Sequence, residues 1–242
     1  EHTQEQSQRS VVYEVDYDSD LTCQQVLDDL KRTDNNEETI SSDDENCESH
    51  MNVQERHDFV PPADSSIHPP DSEQQSVIDI IMHEIQQRHE YVRAYGSEHH
   101  DSTEKFKSTN FILHGPAGCG KTNTVRNLQQ VVKVLCVATT GVAATNIPSA
   151  TTVHSRHGFD ITVKNAKKYP NFSEARMNFI THDAIEADVY LVDETSLLTA
   201  SWLAVIEAHL RVVRSKCTSY GHLYQNMPFG GLVVVLTGDF FQ

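Results

Sequence analysis

Residues 111–125, FILHGPAGCGKTNTV, place a short apolar run directly before a glycine-rich loop and a polar, helix-forming stretch. Gly115, Pro116, Ala117, Gly118, Cys119, Gly120, Lys121 and Thr122 fit G-x-x-x-x-G-K-[ST] at every fixed position. Glycines let successive backbone N–H groups curl round a phosphate, and a helix starting near Lys121 points its positive end at it. Lys121 supplies a mobile cation for the outer phosphates, and the Thr122 hydroxyl can ligate Mg²⁺. The motif works only between a strand and a helix, so it commits the chain to an α/β architecture around a nucleoside triphosphate site.

The flanking pattern agrees. Val77, Ile78, Ile81, Met82 and Ile85 recur at helical spacing and predict a helix over about 73–93 behind Pro69-Pro70. Apolar runs at Phe111–Leu113, Val134–Ala138, Asp188–Glu194 and Gly231–Phe240 predict four strands, and LLTASWLAVIEAHLRVVR predicts a long helix after the third. Continuous apolar strands alternating with helices indicate a parallel sheet covered on both faces. The third strand ends in Asp193-Glu194, at the carboxyl end where such sheets bind ligands. Asp193 can hold Mg²⁺, and Glu194 can polarise the water that attacks a γ-phosphate. No Asn-Lys-x-Asp guanine-reading pattern is present, so the expected reaction is ATP hydrolysis.

The loop leaving the second strand, ATTGVAATNIPSATTVHS (138–155), is rich in small and hydroxyl-bearing residues. Such residues suit contact with a sugar-phosphate backbone, and His154 and Phe159 could stack on an unpaired base. Small residues also permit tight helix–sheet packing, and composition does not separate the two. Gln242, in the terminal GDFFQ, could sense the γ-phosphate.

Charge divides the chain. Residues 1–72 hold 19 of the 35 acidic but only 4 of the 19 basic side chains, leaving the remainder nearly neutral. This acidic front segment (1–71) buries too little apolar surface to fold alone and is expected to be largely disordered, apart from helical spacing at Leu21–Leu30 that could dock on a partner. The five cysteines are scattered without a C-x-x-C pair, which argues for a reducing compartment and against a zinc module. The histidine pairs His99-His100 and His154/His157 lack partners at metal-ligand spacing. No apolar run reaches the ~18 residues of a membrane span. The chain starts without Met and stops just after a strand, so both ends are expected to be cuts.

The motifs SEQQSVIDII, GPAGCGKT, TTGVAATNI…TTVHS, VDETSLL and FGGLVVVLTGDFFQ run in order through residues 72–242. Together they resemble the amino-terminal motor domain of the Pif-one-like DNA helicases of helicase superfamily one. The resemblance implies a RecA-like domain over 72–242, incomplete at its C-terminus, with the second motor domain and its arginine finger absent. By it Gln74 would read adenine, while Thr139, Thr140, Gly141, Ala143, Thr152 and His154 would touch single-stranded DNA. Lys121, Thr122, Asp193, Glu194 and Gln242 would form the Mg²⁺-dependent ATPase centre. It further implies 5′-to-3′ unwinding of forked DNA in repair, recombination or telomere maintenance, in the nucleus or in mitochondria. The segment 160–183 is longer than the family pattern leads one to expect. Two rivals remain at this level: an exonuclease-associated helicase of the same superfamily, and a truncated transposon-derived ATP-binding remnant. Intact Lys121, Asp193 and Glu194 argue against decay.

Overall fold

The computed structural model describes residues 11–16, 67–96, 106, 109–159, 180, 182–216 and 220–239. A helix, α1 (Ser72–Tyr95), begins where Asp71 caps it by accepting the Gln74 N–H at 2.8 Å, and Ile78, Ile81, Ile85 and Val92 form its buried stripe. Strand β2 (Thr109–His114) runs into the glycine loop and α2 (Lys121–Leu128). Then come β3 (Val134–Ala138), the short α3 (Gly141–Ala144), β4 (Thr151–Thr152), α4 (Val153–His157) and β5 (Val189–Asp193). The long α5 (Ala200–Ser215), a single turn α6 (Gly221–Tyr224) and β6 (Val233–Gly238) complete the domain.

The sheet order is β1-β2-β6-β5-β3-β4, where β1 is Val11–Asp16. Strands β2, β6, β5 and β3 pair in parallel, as the apolar runs predict, and the two-residue β4, which no apolar run marked, joins in parallel beside β3. Alternate residues of each strand serve opposite faces. Val189, Leu191, Val233 and Val235 pack under α1 and α2, whereas Tyr190, Val192 and Val234 pack under α5 with Ile206, Leu210 and Val213. Both faces are covered, so each strand reads as an uninterrupted apolar run.

β1 departs from the sequence reading, which marked no strand in 1–71. It pairs antiparallel with β2 from Val11↔His114 to Asp16↔Thr109. Val11, Val12, Tyr13 and Val15 are β-branched or aromatic residues that favour a strand, a local signal that the acidity of the surrounding segment hid. Leu21–Leu30 and most of 160–183 lie outside the described residues. Before β6, Glu207 Oε1 accepts the Phe229 N–H at 3.1 Å and Arg214 Nε donates to Gly230 O at 2.6 Å. Buried groups on α5 thereby set where β6 enters the sheet. Among the described residues no helix is long and apolar enough to cross a membrane.

Candidate nucleotide and strand-binding site

Parallel pairing brings the carboxyl ends of the central strands to one edge. His114 sits opposite Gly238, and Ala138 opposite Asp193. The glycine loop leaves this edge with Gly115 N donating to Gly238 O at 3.4 Å. Gly118 and Gly120 take left-handed φ values of 82° and 92°, and Gly120 caps α2. Pro116 is partly buried and Ala117 exposed, while Lys121 and Thr122 begin the helix half-buried. Lys121 Nζ donates to Pro116 O at 2.9 Å and lies 3.8 Å from Cys119 Sγ, so the ammonium is held inside the loop.

The start of α1 rests on this loop. Asn123 Nδ2 donates to Gln74 Oε1 at 2.8 Å, and a Cβ on Gly120 would fall 2.5 Å from Gln74 Nε2. Gln74 is therefore positioned by the first turn of α2, beside Gly120.

Two strands away, Asp193 ends β5. Thr237 on β6 donates its hydroxyl to Asp193 Oδ1, and it does so from a site only 1% exposed. Glu194 follows with φ 54° and ψ 44°, a left-handed conformation that costs a residue with a side chain about 1–2 kcal/mol. Its surroundings hold it there. Thr139 N donates to Asp193 O at 3.2 Å, Thr139 Oγ1 to Glu194 O at 2.9 Å, and Thr195 Oγ1 to Val192 O at 3.0 Å. Gln242 lies outside the described residues.

Among the described residues no cluster of three or more His, Cys, Asp or Glu side chains could hold a metal alone. The Thr122 hydroxyl and Asp193 carboxylate are hard oxygen donors of the kind Mg²⁺ takes, and Mg²⁺ ordinarily draws its other ligands from water and substrate phosphates. The donor set fits that ion.

The residues expected to meet a DNA strand divide into inward and outward groups. Thr140 Oγ1 accepts the Ala143 N–H, capping α3, and Thr152 Oγ1 accepts the Ser155 N–H, capping α4, both at 3.2 Å. Ala143 is 4% exposed with its N–H spent, which leaves it to packing rather than to the strand contact expected of it. Gly141 faces open space, and the adjoining Val142 is 79% exposed. His154 stands half-buried, edge-on to Trp202 with centroids 5.1 Å apart, and burial lowers its pKa below the ordinary histidine value. Phe159, for which base stacking and packing were both open, is buried, stacked on His157 at 5.0 Å and on Trp202 at 5.1 Å. Burying its apolar ring outweighs exposing it for a ligand.

A family model described as PIF1-like helicase matches residues 84–242, more than half of the chain. The chain belongs to the PIF1-like helicase family. It is 34% identical over 140 residues to the ATP-dependent DNA helicase Pif1 of Psychrobacter, covering 55% of this chain and 19% of that protein. It is 33% identical over 141 residues to the ATP-dependent DNA helicase PIF1 of Saccharomyces cerevisiae, covering 55% and 15%. The chain thus spans less than a fifth of these relatives. A solved Pif1 helicase from Bacteroides shares the fold, with a TM-score of 0.50 at 23% identity, covering 72% of this chain and 33% of that one.

Within this PIF1-like domain, sequence reading passed over Thr237, Asn123 and Asp71, which position predicted site residues without carrying a motif of their own. Only the threonine within LTGDF, directly after the apolar run of β6, gave a hint. It also passed over Arg156, whose guanidinium reaches Thr151 Oγ1 at 3.2 Å and Asp183 Oδ2 at 2.5 Å beside the strand-facing loop.

Proposed function

We propose that residues 72–242 are the first motor domain of an ATP-dependent DNA helicase, which couples ATP hydrolysis to 5′-to-3′ movement on single-stranded DNA and to unwinding of forked duplexes. Genome maintenance, through repair, recombination or telomere upkeep, is its proposed setting, with the nucleus as the compartment. The observation carrying this reading is the convergence of the Gly115–Thr122 loop, the Thr237–Asp193 pair and the left-handed Glu194 at one edge of the sheet. The names of the Psychrobacter and yeast relatives support it.

In this mechanism the loop N–H groups and the α2 N-terminus bind the phosphates, and the Lys121 ammonium follows the charge outward to the γ-phosphate. Thr122 and Asp193 would hold Mg²⁺, which neutralises charge on the phosphate oxygens when bound. Thr237 keeps the Asp193 carboxylate aimed. Glu194 orients the attacking water and takes its proton, while Gln74 receives the adenine next to Gly120. Outside the nucleotide site, Gly141, Val142 and His154 form the surface offered to the unpaired strand.

A second motor domain would supply the arginine that stabilises the transition state, worth roughly 10³ or more in rate. Translocation also needs two bodies gripping the strand in turn. These residues alone should therefore bind Mg-ATP, hydrolyse it marginally and unwind nothing, which a forked-duplex assay on the purified chain checks.

The deciding experiment is Glu194→Gln in the full-length protein. It should keep ATP and single-strand binding while turnover falls by about 10² or more, the usual worth of a positioned base. Lys121→Ala should weaken nucleotide binding itself. Parental turnover in Glu194→Gln would remove Glu194 from the centre.

A further inference from the structure

We propose that Thr139 is a positioning residue for hydrolysis: it holds Glu194 in its working conformation and links it to the strand-facing turn. This rests on the reading of Glu194 as the water-orienting carboxylate. Family resemblance assigns Thr139 to the DNA contact, but its donors point the other way.

A threonine offers one hydroxyl proton and one amide proton. Glu194 O and Asp193 O can only accept, so the 2.9 Å contact from Thr139 Oγ1 and the 3.2 Å contact from Thr139 N consume both protons. Neither is left to donate to a DNA phosphate. What they hold is the junction of β5 with the Glu194 turn, on the side of that turn facing β3.

The opposite side is held by β6. Thr237 bonds the Asp193 carboxylate, and a Cβ on Gly238 would come 3.3 Å from Thr195 N. Asp193-Glu194 is therefore clamped between the exits of β3 and β6. Among the described residues, the β3 side continues into exposed ones. Thr140, next in the chain, caps α3, and behind it lie Gly141, with open space at its missing Cβ, and the exposed Val142. One residue separates a surface open to a strand from the hydrogen bond that fixes a left-handed glutamate. Such a conformation persists only where its surroundings determine it. A ligand that shifts Gly141 and Val142 moves Thr140, and through Thr139 it moves Glu194.

The test compares Thr139→Val and Thr139→Ser with the parent in the full-length protein. Steady-state ATPase is measured with and without saturating single-stranded DNA, beside equilibrium strand binding and thermal melting. Valine keeps the shape and removes the hydroxyl; serine returns it. Strand-stimulated kcat should fall about tenfold in Thr139→Val, the scale of one lost hydrogen bond. KM for ATP and Kd for DNA should stay within about twofold, and Thr139→Ser should recover most of the rate. A weakened DNA Kd with unchanged kcat at saturating DNA would overturn the proposal in favour of a direct contact. A rate loss that follows the melting temperature and is not restored by serine would overturn it in favour of general stability. Glu194→Gln, run in parallel, keeps the two readings apart. Full turnover there overturns the assignment of Glu194, whereas lost turnover there with parental turnover in Thr139→Val overturns the role of Thr139 alone.

Discussion

Gly120 and Gly141 open two helices at the same edge of the sheet, one in the nucleotide loop and the other in the strand-facing turn, for different reasons. Gly120 has φ 92°, and a Cβ there would lie 2.5 Å from Gln74 Nε2. Gly141 has no positive φ, and nothing comes within 4 Å of its missing Cβ. The folded chain itself demands the first glycine. Nothing in the described structure demands the second, so any need for it comes from a ligand. The nucleotide loop is complete within the protein, while the turn at Gly141 is left open, as a turn proposed to meet a DNA strand would be.

Alanine at each position breaks or sharpens that contrast. Gly120→Ala forces a side chain into the left-handed region and against Gln74, at a cost of about 1–3 kcal/mol. It should weaken nucleotide binding by about 10- to 100-fold in a fluorescent ATP-analogue titration. Gly141→Ala should leave nucleotide binding unchanged and stability equal or better by up to ~1 kcal/mol, since alanine suits a helix more than glycine does. Its loss should be confined to single-strand affinity. If Gly141→Ala instead unfolded the protein, the turn would be internally specified after all.

The same distinction explains what the sequence made legible. The glycine loop, β3 at Val134–Ala138 and the acidic end of β5 could be read directly, because each is set by local chemistry: φ requirements, apolar runs, a carboxylate at a strand end. The family motifs place the helix that carries Gln74, but not the Asn123 hydrogen bond that fixes its side chain. Thr139 and Ala143 belong to a motif read as strand contact, yet one bonds Glu194 and the other is buried. Phe159 is ambiguous in the sequence for a related reason. A single aromatic after a loop does not reveal which face it will meet, and here it meets His157 and Trp202. Interactions between residues 40 or more positions apart, such as Thr237 with Asp193, leave no local pattern. β1 was missed because the acidity of residues 1–71 as a whole outweighed the short β-forming run at Val11–Val15.

The two faces of the sheet extend the comparison to stability. Under α1 and α2 the buried polar groups include the Arg88–Glu84 ion pair and Gln129, whereas under α5 the core encloses His157, His209 and Tyr190. The two Nδ1 atoms of His157 and His209 are 2.8 Å apart, and His157 Nε2 is 2.7 Å from the Tyr190 hydroxyl. One Nδ1 must donate and the other accept, so protonating the acceptor sets two donors face to face. Burial lowers the His209 pKa to about 3 and that of His157 well below its ordinary value. Below pH ~6.5 the unfolded chain takes up protons that the folded chain refuses, so stability is full above that pH and declines as pH falls. Well below pH ~6.5 the slope approaches the linkage limit of about 1.4 kcal/mol per pH unit for each proton that the folded chain refuses. Urea denaturation at a series of pH values measures it, and His209→Phe should flatten the slope. An unchanged slope in that variant would place the acid sensitivity elsewhere.

On the strand-facing side, His154→Ala should cost about 1 kcal/mol of single-strand affinity, at the lower end of base-stacking contributions because the ring is half-buried against Trp202. Nucleotide binding should not change, since the ring belongs to α4 and not to the phosphate loop. A larger loss of ATP affinity than of DNA affinity would mean that the two loops are not separable as Gly120 and Gly141 suggest.

The smallest expected effect comes from the acidic segment. Residues 1–72 carry 19 acidic and 4 basic side chains, while the remainder is nearly balanced. A tethered anionic chain competes with DNA phosphates for the same basic groups, Arg156 beside the strand-facing loop among them. Arg156 already pairs with one carboxylate, Asp183, so a further anion at that place is not foreign to it. Deleting the whole segment would also remove β1, which confounds charge with the sheet edge. Replacing Asp34, Glu37, Glu38, Asp43, Asp44, Glu45 and Glu48 by their amides removes charge and leaves β1 in place. Single-strand affinity should then tighten about two- to threefold at low salt. The gain should vanish as ionic strength approaches ~0.5 M, where the screening length falls below the reach of such contacts. An unchanged affinity at low salt would reduce the segment to a spacer, and a gain that survives high salt would show that it acts by occupying a surface rather than by its charge.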